Sequence, residues 1–105
     1  MLSSYFGAGS IVTQDKSPSF ADAVSQSVLL LVESGKAKLS YVDEVSESLK
    51  ALGPYFVIAP GLALAHAKPS NSVSAPGMAL LRLAEPVISG SANDPVSLIF
   101  SMCSP

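Results

Sequence analysis

Two helical patterns in the first half of the chain, followed by four short apolar runs bounded by Gly, Pro, Asn and Ser, predict an α/β fold in which helices flank a mixed β-sheet. The 105 residues, 49% hydrophobic and 13% charged, provide one core and no second lobe.

The elements follow in order. Residues 1–19 are rich in Ser, Gly and small polar side chains, and predict an N-terminal arm over 1–10 ahead of a single domain over 11–105, with one short strand around Ile11–Thr13. Ser19 stands three residues before Asp22 in a capping-box arrangement, and apolar positions then recur at Phe20, Val24, Val28, Leu31 and Val32. Gly35 supplies the left-handed stop. Because Val28 to Val32 is apolar all round, this helix is expected to be covered on more than one side, as when it lies on a sheet. Ser40 and Asp43 predict a second cap, with Tyr41, Val42, Val45, Leu49 and Leu52 on one face and Gly53-Pro54 as the terminator. Asp43 and Glu44 in its first turn and Lys50 in its last suit the helix dipole. Tyr55–Ile58, Leu62–Ala67, Met78–Leu83 and Val96–Ser101 read as buried strands.

Composition excludes several classes. Although mean hydropathy is +0.45, no run approaches the length of a membrane-spanning helix, the longest clean one being Val28 to Val32. Net charge is -2 and the cations are scattered singly, so no basic patch matches a nucleic-acid backbone. One cysteine, Cys103, forms no internal disulfide, and the N-terminus carries no signal-peptide pattern; the expected location is the cytoplasm.

The chemistry-bearing residues are few. His66 is the only histidine, and it lies at the end of an apolar run next to a loop, where a reactive group meets solvent on a rigid support. One His, one Cys and no nearby carboxylates fall short of a zinc ligand set, so no metal is expected. Cys103 paired with His66 would make a Cys-His hydrolase, against the plainer reading of a buried inert thiol. Lys50, Lys68 and Arg82 are the cations that could meet an anion near His66, against the plainer reading of solvated surface charge. Arg82 alternates onto the same side as Met78 and Leu80, which makes it paired, snorkelling or positioned for a ligand. Pro60-Gly61 and Gly90 to Pro95 match no phosphate-loop pattern and read as turns.

The run from Leu52 to Pro69, LGPYFVIAPGLALAHAKP, closely resembles the active-site segment of the enzyme IIA components of the sugar phosphotransferase system, of the mannitol/fructose type and most nearly its ascorbate branch. Tyr41–Val45 is similar to the helix preceding that segment, and Leu80–Leu83, Pro86–Val87 and Asn93–Val96 to the strands that follow; the resemblance extends from about Ile11 to Pro105. It implies the mannitol-type enzyme IIA fold and a phosphohistidine carrier, in which the histidine matching His66 takes a phosphoryl group from the histidine-containing phosphocarrier protein. That histidine passes the group to a cysteine of enzyme IIB during sugar uptake, with the membrane enzyme IIC involved only indirectly. The resemblance also implies that Nε2 is the phosphorylated nitrogen, that no cofactor or metal takes part, and that Lys50 matches an arginine near the active histidine in mannitol-type relatives.

Two departures accompany it. Ala65 stands where many relatives have proline before the active histidine. The family continues past the strand ending near Met102 into a segment with a second histidine and further helices, whereas this sequence stops at Pro105, so the C-terminal helices are expected to be missing and one sheet face partly bare. The alternative function is an inactive binding or regulatory module that keeps the enzyme IIA fold.

Overall fold

The computed structural model describes residues 5–105. Ser19 caps the first helix, α1 (Phe20–Glu33): its hydroxyl accepts the Asp22 N–H at 3.1 Å. At the other end the Ser34 N–H bonds to the Leu30 carbonyl, and Gly35, at φ +81°, turns the chain away with its own N–H on the Val32 carbonyl. The second helix, α2 (Ser40–Leu52), begins differently from expectation. The Lys38 and Leu39 carbonyls already accept from Tyr41 and Val42, so Leu39 holds the cap position without a side-chain bond, and the Ser40 hydroxyl turns to Ser72, 2.6 Å away. Tyr41 and Val45 enter the core and Val42 and Leu49 pack against it, but Leu52, expected on the same face, is exposed where the helix runs out. Gly53 closes α2 at φ +70°, a value a side chain would resist.

Strands are β1 (Phe6–Gln14), β2 (Val57–Ala59), β3 (Leu62–Ala65), β4 (Gly77–Val87) and β5 (Val96–Cys103). They form one five-stranded mixed sheet in the order β1-β4-β5-β3-β2, with β1 parallel to β4 and β3 parallel to β5. The pairs β4–β5 and β2–β3 are antiparallel. The strand expected only around Ile11–Thr13 is nine residues long, so residues 6–10, expected in the arm, belong to the sheet. Residues 1–4 of that arm lie outside the described residues. The first predicted strand, Tyr55–Ile58, is split: Pro54–Phe56 is a single 3-10 turn, because Pro54 fixes a helical φ, and the strand starts at Val57. The second stops at Ala65, leaving His66 just beyond its end.

Small side chains decide how closely α1 approaches the sheet. Ala63, Ala65 and Ala79 are fully buried beside Leu81 and Ile99, and Ala23, Val24, Val28 and Leu31 of α1 fill the space above them. Ser27 locks the helix to β5 reciprocally: its hydroxyl donates to the Ile99 carbonyl at 2.8 Å, and its carbonyl accepts the Ser101 hydroxyl at 3.0 Å. Tyr41 and Val45 of α2 complete this layer. On the opposite face, Met78, Leu80, Leu98, Phe100, Leu62 and Leu64 are only half-buried, with Arg82 exposed among them. No helix among the described residues covers that face, and none is long and apolar enough to cross a membrane.

Candidate functional site

His66 sits immediately after β3, whose register against β5 is held through Ala65↔Ser101. The β2–β3 turn uses Gly61 at φ +75°, and its carbonyl accepts from the Ser97 and Leu98 N–H groups, so the start of β3 is pinned to β5 four residues upstream of the imidazole. The ring is half-buried and rests on fully buried Phe56, centroids 5.4 Å apart, with Tyr55 edge-on at 5.8 Å. Nδ1 lies 3.1 Å from the Leu64 carbonyl oxygen. A carbonyl only accepts, so Nδ1 carries the proton and, in the neutral ring, Nε2 holds the free lone pair. The Tyr55 hydroxyl, 3.1 Å from Nε2, therefore donates to it. The fold thus fixes one tautomer and leaves Nε2 as the acceptor nitrogen of the ring, just past the end of β3.

Downstream of the ring, α2 clamps the chain. The Tyr41 hydroxyl, inside the core, accepts the Ala67 N–H at 3.0 Å and donates to the Met102 carbonyl at 2.9 Å. Burial pushes the Tyr41 phenol above the ordinary tyrosine value. Glu44 accepts from the Ser70 hydroxyl at 2.7 Å and from the Ser72 hydroxyl, and these two bonds hold its carboxyl below the ordinary carboxylate range. Lys38 N–H bonds to the Ser72 carbonyl, so the whole segment after His66 is tied to the start of α2.

The Glu44 clamp carries a prediction whose sign follows from that shift. A depressed folded-state value stabilises the fold above the ordinary carboxylate range, and this contribution is lost as pH falls through it. Glu44→Gln is expected to lower stability by about 1 kcal/mol at pH 7, and the gap to wild type should narrow towards pH 3. Urea midpoints across that range measure it; a gap that does not change with pH contradicts it.

The other sequence-predicted residues do not converge on the ring. Lys50 is exposed and pairs with Glu47 at 3.7 Å. Lys68, two residues after His66, lines a shallow cleft of about 390 Å³ with Asp43, Glu44, Glu47, Ser48 and Ala67. Three carboxylates against one ammonium make that cleft unfavourable for a phosphate. Arg82 pairs with Leu98, which pairs with Leu62. It is therefore two strands across and four residues back from His66, roughly 16 Å away by strand spacing, and it makes no ion pair among the described residues. The alternation argument put Arg82 on the correct face, but the register removes it from the histidine. The Cys-His pair is not formed either: both His66 nitrogens have other partners. The buried Cys103 thiol donates to the Ala75 carbonyl at 3.5 Å, and burial raises its pKa, away from a reactive thiolate.

Tyr41, Glu44 and Tyr55 were not singled out from the sequence. Each sits in a pattern that reads as core, helix charge or strand, and only the tyrosine hydroxyls, polar tips on otherwise apolar positions, offered a signal.

Comparison with known proteins bears on this geometry. Residues 4–105 match the family model described as phosphoenolpyruvate-dependent sugar phosphotransferase system, EIIA 2. The ascorbate-specific PTS system EIIA component of Shigella boydii is 36% identical over 94 residues, covering 89% of this chain and 61% of that protein. The chain thus spans about three fifths of the length of that relative. The mannitol-specific cryptic phosphotransferase enzyme IIA CmtB from Escherichia coli is 27% identical with a TM-score of 0.86, over 98% of this chain and 70% of that one. The enzyme IIA of the Escherichia coli mannitol system, solved in complex with phosphorylated enzyme IIB, shares the fold at TM-score 0.81 and 20% identity, over 94% of this chain and 69% of that one. With residues 4–105 matched by that family model and a relative 36% identical over 89% of this chain, the chain belongs to the EIIA 2 family of the phosphoenolpyruvate-dependent sugar phosphotransferase system.

Proposed function

We propose that the protein is a phosphoryl carrier whose acceptor is Nε2 of His66. The observation that carries the reading is the bond from Nδ1–H to the Leu64 carbonyl, which leaves the lone pair on Nε2, where it meets the part-exposed Tyr55 hydroxyl. In the forward step this lone pair forms the N–P bond while the P–N bond of a phosphohistidine on the phosphocarrier protein breaks, its electron pair returning to the donor nitrogen. In the second step an enzyme IIB cysteine thiolate attacks phosphorus and the N–P pair returns to Nε2. The Nδ1 proton stays in place in both steps, so the protein's contribution is positioning and the exclusion of water.

The partners are therefore the histidine-containing phosphocarrier protein and enzyme IIB, with enzyme IIC reached through the latter. Support for enzyme IIB comes from the same-fold mannitol domain solved in complex with its phosphorylated enzyme IIB. The ascorbate-specific name of the 36% identical relative supports an ascorbate-like sugar. Lys50 and Lys68, on the α2 side, are candidates for long-range attraction of the phosphoryl group rather than for contact with it.

The test is phosphorylation of the purified chain by phosphoenolpyruvate, enzyme I and the phosphocarrier protein, read by intact mass. The expected result is one acid-labile phosphoryl group, absent in His66→Ala. No incorporation by a folded sample would overturn the carrier reading in favour of a binding or regulatory module.

A further inference from the structure

We propose that Tyr55 is a positioning residue for this transfer: its hydroxyl holds the Nε2 lone pair at rest and moves to a phosphoryl oxygen once the group is on His66. The inference rests on the carrier reading above. Its basis is the direction of one hydrogen bond. Because Nδ1 is committed as donor to the Leu64 carbonyl, the 3.1 Å contact at Nε2 has Tyr55 as its donor, and the donated proton occupies the lone pair that must attack phosphorus. In-line attack brings phosphorus into the same direction, so the hydroxyl has to leave that position.

The surroundings allow a short move. Tyr55 is 47% exposed, in a turn whose backbone is fixed by Pro54 at one end and by the Val57 strand at the other. Its ring rests on buried Phe56 with centroids 4.9 Å apart, so rotation about the side chain carries the hydroxyl off the imidazole while the ring keeps its support. From there the O–H points at the space a phosphoryl group on Nε2 would fill, and a donor to an anionic oxygen is stronger than one to a neutral nitrogen. The cleft beside Ala67 and Lys68 is lined by three carboxylates, Asp43, Glu44 and Glu47, against the single Lys68 ammonium, so it is the less favourable surrounding for an anionic phosphoryl group. Tyr55 keeps its own proton throughout. At rest it caps the Nε2 lone pair and shields it from other reactants; after transfer it stabilises the phosphorylated state.

Tyr55→Phe tests this, since it keeps the ring against Phe56 and removes only the hydroxyl. Both proteins are loaded with phosphoramidate, a small-molecule phosphoryl donor for histidine, so the test does not depend on the protein donor. In the unphosphorylated variant, the 15N resonance of Nε2 in the neutral ring should move while Nδ1 remains protonated. In the phosphorylated variant, the lifetime of the phosphoryl group at neutral pH should shorten about three- to tenfold, as expected for loss of one hydrogen bond. An Nε2 resonance that does not move, or a lifetime within about twofold of wild type, overturns the assignment. Wild type that accepts phosphate from phosphoramidate but not from the phosphocarrier protein overturns the carrier reading and leaves the Tyr55 result to stand by itself. Folded wild type that resists phosphoramidate at His66 overturns both.

Discussion

His66→Gln is expected to reduce phosphoryl incorporation at least about 10³-fold, to the detection limit, while leaving the fold intact. Glutamine keeps a neutral polar side chain of similar reach, but its amide nitrogen has its electron pair delocalised into the carbonyl and offers no lone pair of comparable nucleophilicity. The imidazole is half-buried and stands past the end of β3, so its loss removes some contact with Phe56 and none of the sheet pairing. The expected stability change is under about 1 kcal/mol, seen as a nearly unchanged urea midpoint. Intact mass after incubation with the donor system measures the first effect, and the midpoint measures the second. Incorporation above a tenth of the wild-type level would point to another acceptor. The buried thiol of Cys103 is a poor one, because its pKa is raised and its sulfur faces the Ala75 carbonyl.

What the sequence revealed depends on how local the cause is. The Ser19 cap and the apolar spacing of α1 are decided within a single helix and were legible. The cap at Ser40 was not, because Leu39 joins the helical backbone and a distant partner, Ser72, captures the serine hydroxyl. The length of β1 was hidden for a similar reason: its Gly- and Ser-containing start is a strand by virtue of pairing with β4, some seventy residues on. Arg82 illustrates the limit of alternation, which assigns a face but not a distance along the sheet. The place of His66 at the end of an apolar strand was legible from its local setting. The hydroxyls that surround it were not, since Tyr41 bonds to backbone groups 26 and 61 residues away, and in sequence it is one more apolar position on a helix.

Tyr41→Phe is the second large effect, and it separates stability from chemistry. The hydroxyl is buried, with both its donor and acceptor roles used, so its removal strips a partner from the Ala67 N–H and from the Met102 carbonyl without creating a sizeable cavity. The expected cost is about 2 kcal/mol, or a fall of roughly 10 °C in the thermal midpoint of a domain this size. Because Ala67 follows His66 directly, the loosened backbone also lets the imidazole drift from its Phe56 support. The phosphorylation rate, measured at a temperature where the variant is fully folded, should drop roughly ten- to hundredfold. A third readout identifies the phenol itself. Its raised folded-state value means that wild type holds this contribution below the ordinary tyrosine value, near about 10, and loses it as pH rises through the folded value. Tyr41→Phe lacks the group, so its stability should fall less steeply above that pH. A variant that loses stability but keeps the wild-type rate would confine Tyr41 to the core; a rate loss without a stability loss would mean that the Ala67 bond does not support the fold. The clamp requires both losses together, since one hydroxyl joins the Met102 carbonyl of β5 to the residue after His66.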